Sequence, residues 1–473
     1  MMHVHNLLWF TLMVASAGFY YRKIMGAGMV AGLAAILFAI DDAHAWPAGW
    51  IANRNALIAM TLCLLALMMH HRWRENRNLW AAALGVTLYG ASLFAKESTV
   101  AIFGYLVAYA FFLDNGKAIR RLITLVPYMV VTILWRMVYV SLDFGAEASG
   151  GYIDPLGAPL QFAKTALYRI PILLQGQWVF APVDILLFAP PWLRNVMTIS
   201  AWTVMLMLAT ILYPLLKRNR VARFWCLGMC LATVPLAAAS PQDRLLLFPG
   251  LGAMGLLAQL LVALKSGDYV DANRIVPRKL LAPIRYALVA IHLVIAPILL
   301  PLTIVALGFM MGNIDRNVRV SLLSDESIVD KTLILANGAN YPVGSYLYII
   351  RGLEGQPTPK YLRSFALPTM AAVPMDITRV DELTVTVRPE GGYPWSLFRT
   401  EEKPFAPGDT HTLTGMMVEV TQLSEGGWPS ELACRFEKSL DDPSYLWYRI
   451  NGFDYEPMPV PAIGETVRLE IFE

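Results

Sequence analysis

The stretch Ile284–Phe309, IRYALVAIHLVIAPILLPLTIVALGF, decides the fold class of this chain. It is longer than the roughly 20 apolar residues that cross a bilayer as a helix, and Arg285 is its only strongly charged residue. Similar apolar stretches precede it: Leu7–Tyr21, Ile24–Ile40, Asn55–Met69, Leu79–Phe94, Thr99–Phe112, Leu122–Val140, Val196–Leu216, Phe224–Ala239 and Leu245–Ala263. The sequence therefore predicts a mainly α polytopic membrane protein, a helical bundle with about ten spans.

The composition excludes the common classes of soluble enzyme. Of the 473 residues, 56% are hydrophobic and 15% are charged, which is too apolar for a soluble chain of this length. Basic loops between spans explain the net charge of +3, so it indicates no nucleic-acid partner. The sequence contains neither a glycine-rich phosphate-binding motif nor a GxSxG nucleophile elbow. A donor substrate handled as a cytosolic nucleotide is therefore not expected.

Lysine and arginine residues are concentrated in alternate loops between the predicted spans. Loops rich in lysine and arginine are expected on the cytoplasmic side, and they alternate with loops that hold the single cations Arg54, Lys96 and Arg244. The basic loops contain Arg22, Lys23; Arg72, Arg74, Arg77; Lys117, Arg120, Arg121; Lys217, Arg218, Arg220, Arg223; Lys265, Arg274, Arg278 and Lys279. This alternation places the N-terminus on the outer side, so we expect a further helix upstream of Met1.

Two parts follow one another along the chain. Residues 1–312 form the predicted membrane domain, and residues 313–473 contain alternating strand patterns separated by glycine, proline and aspartate. The patterns are TLILANG from Thr332, YLYIIRG from Tyr346, LTVTVRP from Leu383, MMVEV from Met416 and TVRLEIF from Thr466. They predict a small antiparallel β domain. Because one span follows the last basic loop, we expect this domain outside the cytoplasm, in the periplasm if the membrane is a bacterial inner membrane.

Ionisable residues cluster at the outer ends of the predicted spans. They lie in the loop DDAHAWPAGWIANR (Asp41–Arg54) and in the turns AKES and SPQDR, which contain Lys96, Glu97, Asp243 and Arg244. Lysine and arginine hold phosphate, and a carboxylate nearby can act as a general base toward a hydroxyl. We therefore predict an outer cavity for an anionic lipid headgroup. For any one of these residues, an ordinary polar turn between spans remains the alternative.

The segment Ser141–Asn195 begins and ends on the outer side, so it makes either no crossing or two. Its apolar pieces fit amphipathic helices along the interface or a helical hairpin. It adds further charges to the outer side: Asp154, Lys164, Arg169, Asp184 and Arg194.

Asp41, Asp42 and His44 also combine oxygen and imidazole ligands within four residues. This spacing makes a divalent metal possible but lacks the specificity of a known ligand motif, so we expect no metal and no organic cofactor. The four cysteines indicate no disulfide framework.

Four segments resemble the membrane mannosyltransferases that carry tetratricopeptide repeats. FAIDDAHAWPAGWIANRNALIA (Phe38–Ala59) resembles that family's "FALHPxHxExVAWIxGRxDLLA" segment, and LFAKESTV (Leu93–Val100) looks like its "SKE" turn. PQDRLLLFPGLG (Pro241–Gly252) is similar to "ERYLYLPSxG", and HVHNLLWF (His3–Phe10) to "HLxNLLLH". The family belongs to the C-type glycosyltransferase (GT-C) fold, which includes protein O-mannosyltransferases.

The resemblance implies a site for a lipid-phosphate donor. By matching motif positions it implies that His44, Trp50, Arg54, Lys96, Glu97 and Arg244 lie near this donor site. We predict substrate-binding roles for His44, Trp50, Arg54, Lys96, Asp243 and Arg244, and a catalytic role for Glu97. The implied reaction transfers a sugar from a polyprenyl-phosphate carrier in the membrane lipid to a protein or glycan acceptor on the outer face. The alternative is a noncatalytic membrane protein that binds glycolipid or assists envelope assembly.

The sequence also departs from the family pattern. Asp41 and Asp42 stand where the family has His-Pro, Trp46 replaces its glutamate, and a β-rich part replaces the tetratricopeptide repeats. The family's first helix and the outer loop that carries its acidic catalytic residue have no counterpart here. Our hypothesis is that Asp41 or Asp42 substitutes as the catalytic base.

Overall fold

The computed structural model describes residues 2–145, 151–179, 183–187, 189, 191–265, 276–319, 328–337, 340–365, 373–393, 404–451 and 454–470. The chain forms two compact units, of which one extends to Leu307 and the other begins at Gly308. We call them the helical unit and the β unit. In the described residues up to Arg319, the helices are α1 Met2–Met25, α2 Met29–Ala39, α3 Ala45–Gly49, α4 Arg54–Asn76, α5 Leu79–Ala95, α6 Phe103–Phe112, α7 Ala118–Ile123, α8 Val126–Ser141, α9 Pro159–Trp178, α10 Pro191–Arg218, α11 Arg220–Leu236, α12 Leu247–Ala263, α13 Arg278–Ala290 and α14 Ala296–Arg319, the last of which continues past the boundary between the two units.

Short helical turns join several of these helices. Five are 3₁₀ turns: Asp42–His44, Ile51–Asn53, Glu97–Ile102, Val183–Leu187 and Asp243–Leu245. A π-helical turn, Ile291–Ile295, connects α13 to α14 without interrupting the helical rod.

Local sequence signals fix several helix boundaries. Asn219 caps α11, because its side-chain oxygen accepts hydrogen bonds from the backbone N–H groups of Val221 and Ala222. Gly26 separates α1 from α2 with a φ of 81°, a left-handed conformation that glycine adopts without steric cost. The chain therefore turns between helices at positions that the sequence specifies.

Four helical segments are long and apolar enough to cross a membrane. They are Ile51–Asn76, Ala118–Ser141, Trp192–Arg218 and Arg278–Phe309. The pair Met29–Ala39 and Asp42–Gly49 would form a fifth if it is one span bent by 46°, and the apolar segments Leu79–Ala95, Glu97–Phe112 and Leu247–Ala263 are shorter. The predicted helical unit is thus confirmed in outline, while its placement in a membrane and the number of ten spans stay predictions.

Glycines allow α12 to pack closely against its neighbours. A Cβ atom on Gly252 would lie 2.7 Å from the carbonyl oxygen of Trp225 and 2.8 Å from the hydroxyl of Tyr105. A Cβ on Gly255 would lie 2.8 Å from the ring of Trp225. Small residues at such contacts bring helix backbones together, which is how apolar helices associate where the hydrophobic effect is weak. This contact holds the start of α12 and the polar turn before it.

The β unit contains two sheets and a helix. The strands are β1 Thr332–Leu335, β2 Tyr361–Ser364, β3 Met375–Arg379, β4 Thr384–Pro389, β5 Thr410–Leu413, β6 Met416–Leu423, β7 Pro429–Phe436, β8 Tyr445–Asn451, β9 Asp454–Pro457 and β10 Thr466–Leu469, with helix α15 at Asn340–Leu353. One sheet has the order β2-β1-β8-β9, and the other is antiparallel with the order β10-β3-β4-β7-β6-β5. Phe365, Phe436 and Trp447 pack together in a shared core.

The structure corrects two predictions for the β unit. The predicted strand YLYIIRG from Tyr346 is wrong, because these residues lie in α15. The expectation of a purely antiparallel domain is also wrong, because β1 pairs in parallel with both β2 and β8. The two corrections are connected. Two parallel neighbouring strands need a crossover connection between them, and α15 is that connection between β1 and β2. The strands predicted at Thr332, Leu383, Met416 and Thr466 are confirmed.

Candidate functional site

Turns from separate parts of the helical unit meet and bring together five charged side chains, Asp42, Lys96, Asp184, Asp243 and Arg244, which we call the polar cluster. The turn Asp42–His44 contacts the turn Asp243–Leu245, and α3 contacts the same turn. The charges of Asp42 and Asp184 act on Asp243, and the charge of Arg244 acts on both Lys96 and Asp184. Residues that are far apart in the sequence thus form one half-buried polar group.

Asp41 is buried and positions the turn that carries Asp42. Its Oδ1 accepts a hydrogen bond from the backbone N–H of Ala43 at 3.1 Å, and its Oδ2 accepts one from Nε2 of Gln177 at 2.8 Å. Asp41 therefore serves as the N-cap of the turn Asp42–His44. Because both of its oxygens are engaged, Asp42 is better placed than Asp41 to accept a proton from a substrate.

Asp184 and Asp243 face each other as a carboxyl pair. Trp46 Nε1 donates to Oδ2 of Asp184 at 3.0 Å, and the backbone N–H of Asp243 lies 3.3 Å from Oδ1 of Asp184. The backbone N–H of Val183 donates to Oδ1 of Asp243 at 3.1 Å. The pair therefore joins the turns Val183–Leu187 and Asp243–Leu245 and attaches α3 to both.

The carboxyl pair holds a proton. Burial and the facing Asp184 carboxylate raise the pKa of Asp243 to about 8. Burial also raises the pKa of Asp184, while hydrogen bonds from Asp243 and Trp46 and the charge of Arg244 oppose that shift. Two carboxylates at hydrogen-bond distance cannot both ionise cheaply, so the proton stays on Asp243 at neutral pH.

Two cations belong to the cluster, and one of them, Arg244, acts both on Asp184 and on the other cation, Lys96. The guanidinium carbon of Arg244 lies 5.9 Å from the centre of the Trp50 ring, within the range of a cation–π contact. Lys96 donates from Nζ to Oδ1 of Asn53 at 2.9 Å. Burial lowers the pKa of Lys96; Glu97 opposes this shift and Arg244 adds to it. The side of the cluster that carries Lys96 and Arg244 is suited to an anion such as a phosphate.

Two of the predicted site residues, His44 and Arg54, are engaged away from the polar cluster, and a third, Glu97, lies at its edge. His44 is fully buried, and its ring packs edge-on against Phe10 and Phe38. Arg54 donates to the carbonyl oxygen of Met2 at 3.0 Å, so it ties α4 to α1. Glu97 is exposed; its charge acts on its neighbour Lys96 and also on Tyr139 and Tyr152, which lie with Arg136 and Asp154 outside the cluster.

The segment between α8 and α10 supplies residues to which the sequence assigned no role in the site. Arg169 is buried and donates to the carbonyl oxygens of Ala237 and Ala238 at 3.0 and 2.9 Å. It therefore satisfies carbonyls at the end of α11, just before the loop that leads to Asp243. The sequence listed Arg169 and Asp184 only as charges on the outer side, and no spacing signal connected either of them to Asp243.

No family model matches the sequence, and no curated protein matches it. Within the described residues, no three His, Cys, Asp or Glu side chains come together in a way that could hold a metal ion. For Asp41, Asp42 and His44 the reason is visible, because the His44 ring packs among phenylalanines and Asp41 is engaged with Gln177.

Proposed function

We propose that this protein transfers a sugar from a polyprenyl-phosphate carrier to a hydroxyl-bearing protein or glycan acceptor, on the outer face of a bacterial inner membrane. The observation that carries the proposal is the polar cluster, in which carboxylates stand beside two cations at the ends of apolar helices. The resemblance of four segments to lipid-phosphate mannosyltransferases motivates the choice of donor.

Each group in the cluster receives a role in this proposal. Asp42 accepts the proton of the acceptor hydroxyl while that oxygen forms a bond to the anomeric carbon of the sugar. The bond from the anomeric carbon to the carrier oxygen breaks, and the electron pair leaves with the carrier phosphate. Lys96 and Arg244 stabilise the charge that develops on this phosphate. Trp46 and Trp50 offer aromatic faces and an apolar border beside the reacting groups.

A transfer assay with the full chain tests the proposal. The purified protein in lipid nanodiscs is given polyprenyl-phosphate mannose or glucose labelled in the sugar, and release of polyprenyl phosphate is measured in the presence of membrane-extracted acceptor. We expect turnover in the native protein, a loss of at least about 100-fold in Asp42→Asn, and an increased KM in Lys96→Met.

The control is Glu75→Gln, because Glu75 is exposed and pairs with His71 near the end of α4, in sequence far from the polar cluster. It should retain native turnover. Unchanged turnover in Asp42→Asn would remove Asp42 as the base. Saturable binding of the carrier lipid that depends on Lys96 and Arg244, without turnover, would favour the glycolipid-binding alternative.

A further inference from the structure

A small cavity lies next to Asp42, between three segments of the helical unit. Its lining includes Asp42, Gln177 at the end of α9, and His292 in the π-helical turn. Its volume is about 10 Å³, close to what one water molecule needs. A π-helical turn within a longer helix is frequent at functional sites, because the extra residue redirects side chains.

Gln177, one of the residues that line this cavity, has an unpaired side-chain oxygen. Its side-chain nitrogen Nε2 donates a hydrogen bond to Oδ2 of Asp41 at 2.8 Å. The other end, Oε1, has no hydrogen-bond partner among the residues that the structure describes, although Gln177 is only 2% exposed. A buried acceptor left without a donor costs about 1–3 kcal/mol, so this oxygen requires a donor.

The other polar groups at the cavity are acceptors as well. Nε2 of His292 lies 3.2 Å from the carbonyl oxygen of Trp178, so in the neutral ring this nitrogen carries the proton and the second nitrogen is an acceptor. The ionised carboxylate of Asp42 accepts only. A ligand that fits must therefore be very small and must donate more than one hydrogen bond.

We propose that the cavity binds one water molecule, which donates hydrogen bonds to Oε1 of Gln177 and to the carboxylate of Asp42. The water links Asp42 to the Asp41–Gln177 pair and so fixes its orientation. Gln177 is then a positioning residue for Asp42. The role of Asp42 as a base rests on the proposed function, whereas the water site itself does not.

The direct test is a map of the full chain in nanodiscs at a resolution that shows ordered water. Density is expected in the cavity of the native protein, and it should be absent from Gln177→Leu. The matched control is Gln175→Leu, on the same helix, whose Nε2 donates to Oγ of Ser200 at 3.1 Å. This control should retain the density. If Gln177→Leu does not fold, the native map alone decides, since a cavity without density beside other ordered waters overturns the proposal.

A second measurement reports on Asp42 without any sugar transfer. Dicyclohexylcarbodiimide modifies protonated carboxyl groups, and peptide mass spectrometry gives the rate of modification at Asp42. Loss of a donated hydrogen bond disfavours the carboxylate, so Gln177→Leu should be modified several-fold faster than the native protein at pH 7. Gln175→Leu should match the native rate. Equal rates in all three proteins would overturn the positioning role even if water is present, and failure of the transfer assay would leave both results standing.

Discussion

The helical unit holds two groups of buried acidic side chains, and they are built in opposite ways. Asp114 follows the C-terminal end of α6, and its carboxylate accepts from Nε of Arg74 at 2.7 Å and from the backbone N–H of Gly116 at 2.9 Å. Asp184 and Asp243, in contrast, face each other, and the charge of Arg244 acts on Asp184. The two groups lie at opposite ends of one helical segment: Lys96 of the polar cluster precedes the turn Glu97–Ile102, and Asp114 follows α6.

The two acidic groups differ in the direction in which the pKa of the carboxyl group is shifted. Burial alone would raise the pKa of Asp114, but the hydrogen bonds from Arg74 and Gly116 outweigh burial and lower it. The pKa of Asp243 moves the other way, to about 8. A matched ion pair is a structural element, whereas a carboxyl pair that retains a proton near neutral pH is the arrangement expected of a chemical site.

Arg74→Ala should have the largest effect on stability. It leaves the charge of Asp114, whose side chain is 4% exposed, with the Gly116 N–H as its main remaining partner. We expect a loss of about 2–3 kcal/mol in the free energy of unfolding, measured by thermal unfolding of the full chain in detergent. Arg244→Ala should cost clearly less, because the acids beside Arg244 can hold a proton instead.

Glu75→Gln serves as the control for this pair of variants. Glu75 is 56% exposed and bonds His71 at 3.1 Å, so its loss should cost about 0.5 kcal/mol or less. Equal losses in Arg74→Ala and Arg244→Ala would show that the two acidic groups depend on their cations alike, and the contrast between them would fail.

Asp184→Asn should have the second largest effect. Asp184 accepts from Trp46 and from the backbone N–H of Asp243 through different oxygens, and an amide offers only one oxygen. One donor would then face the amide N–H₂ group, at a cost of about 1–2 kcal/mol. Asp243→Asn has no such conflict, because its oxygen can accept from Val183 while its nitrogen donates to Asp184. Unfolding curves of the two variants at pH 7 compare them directly, and equal losses would contradict the assigned proton position.

The sequence predicted parts of this site because of where charges stand relative to apolar stretches. The residues that flank predicted spans are Asp42, Lys96, Asp243 and Arg244. A charged side chain near the apolar part of a membrane is energetically costly, and this cost alone marks such residues as candidates for a functional site. The pairing of Asp184 with Asp243 could not be predicted, because it depends on how the turn Val183–Leu187 approaches a loop far along the chain. No local pattern encodes that approach.

The fold shows the same division between local and long-range information. Apolar length predicted helices, and alternation predicted strands such as β4 and β6. Alternation wrongly predicted a strand where the structure has α15. Leu347 and Ile350 both pack in the same core cluster and lie three residues apart, a spacing that places them on one face of a helix. The parallel pairing of β1 with β8 joins residues far apart in the sequence, so periodicity carried no signal for it.

The carboxyl pair should make stability depend on pH, and Asp243→Asn should weaken that dependence. The folded protein keeps a proton on Asp243 up to a pH of about 8, whereas an unfolded aspartate releases it at about pH 4. The folded state binds more protons between these values, so its stability falls as the pH rises through this window. Thermal unfolding from pH 5 to 9 should show the stability of Asp243→Asn rising relative to that of the native protein, by about 1 kcal/mol for each pH unit between pH 5 and pH 8. A constant difference between the two proteins would contradict a raised pKa at Asp243.

The smallest effects should come from the tryptophans beside each arginine. Arg244 lies 5.9 Å from the ring centre of Trp50, and Arg74 lies 5.4 Å from that of Trp73. Replacing either ring by leucine should cost about 0.5–1 kcal/mol, as expected for partly exposed cation–π contacts. The two variants should nevertheless differ in function. Under the proposed function, Trp50→Leu should weaken binding of polyprenyl-phosphate sugar severalfold, because Arg244 would lose the ring contact that holds it in place for the phosphate, whereas Trp73→Leu should leave binding unchanged. Stability and lipid binding should be measured on the same preparations. Equal stability losses with weaker lipid binding only in Trp50→Leu would support a functional role for Arg244 and a structural role for Arg74. Equal lipid binding in both variants would contradict this difference.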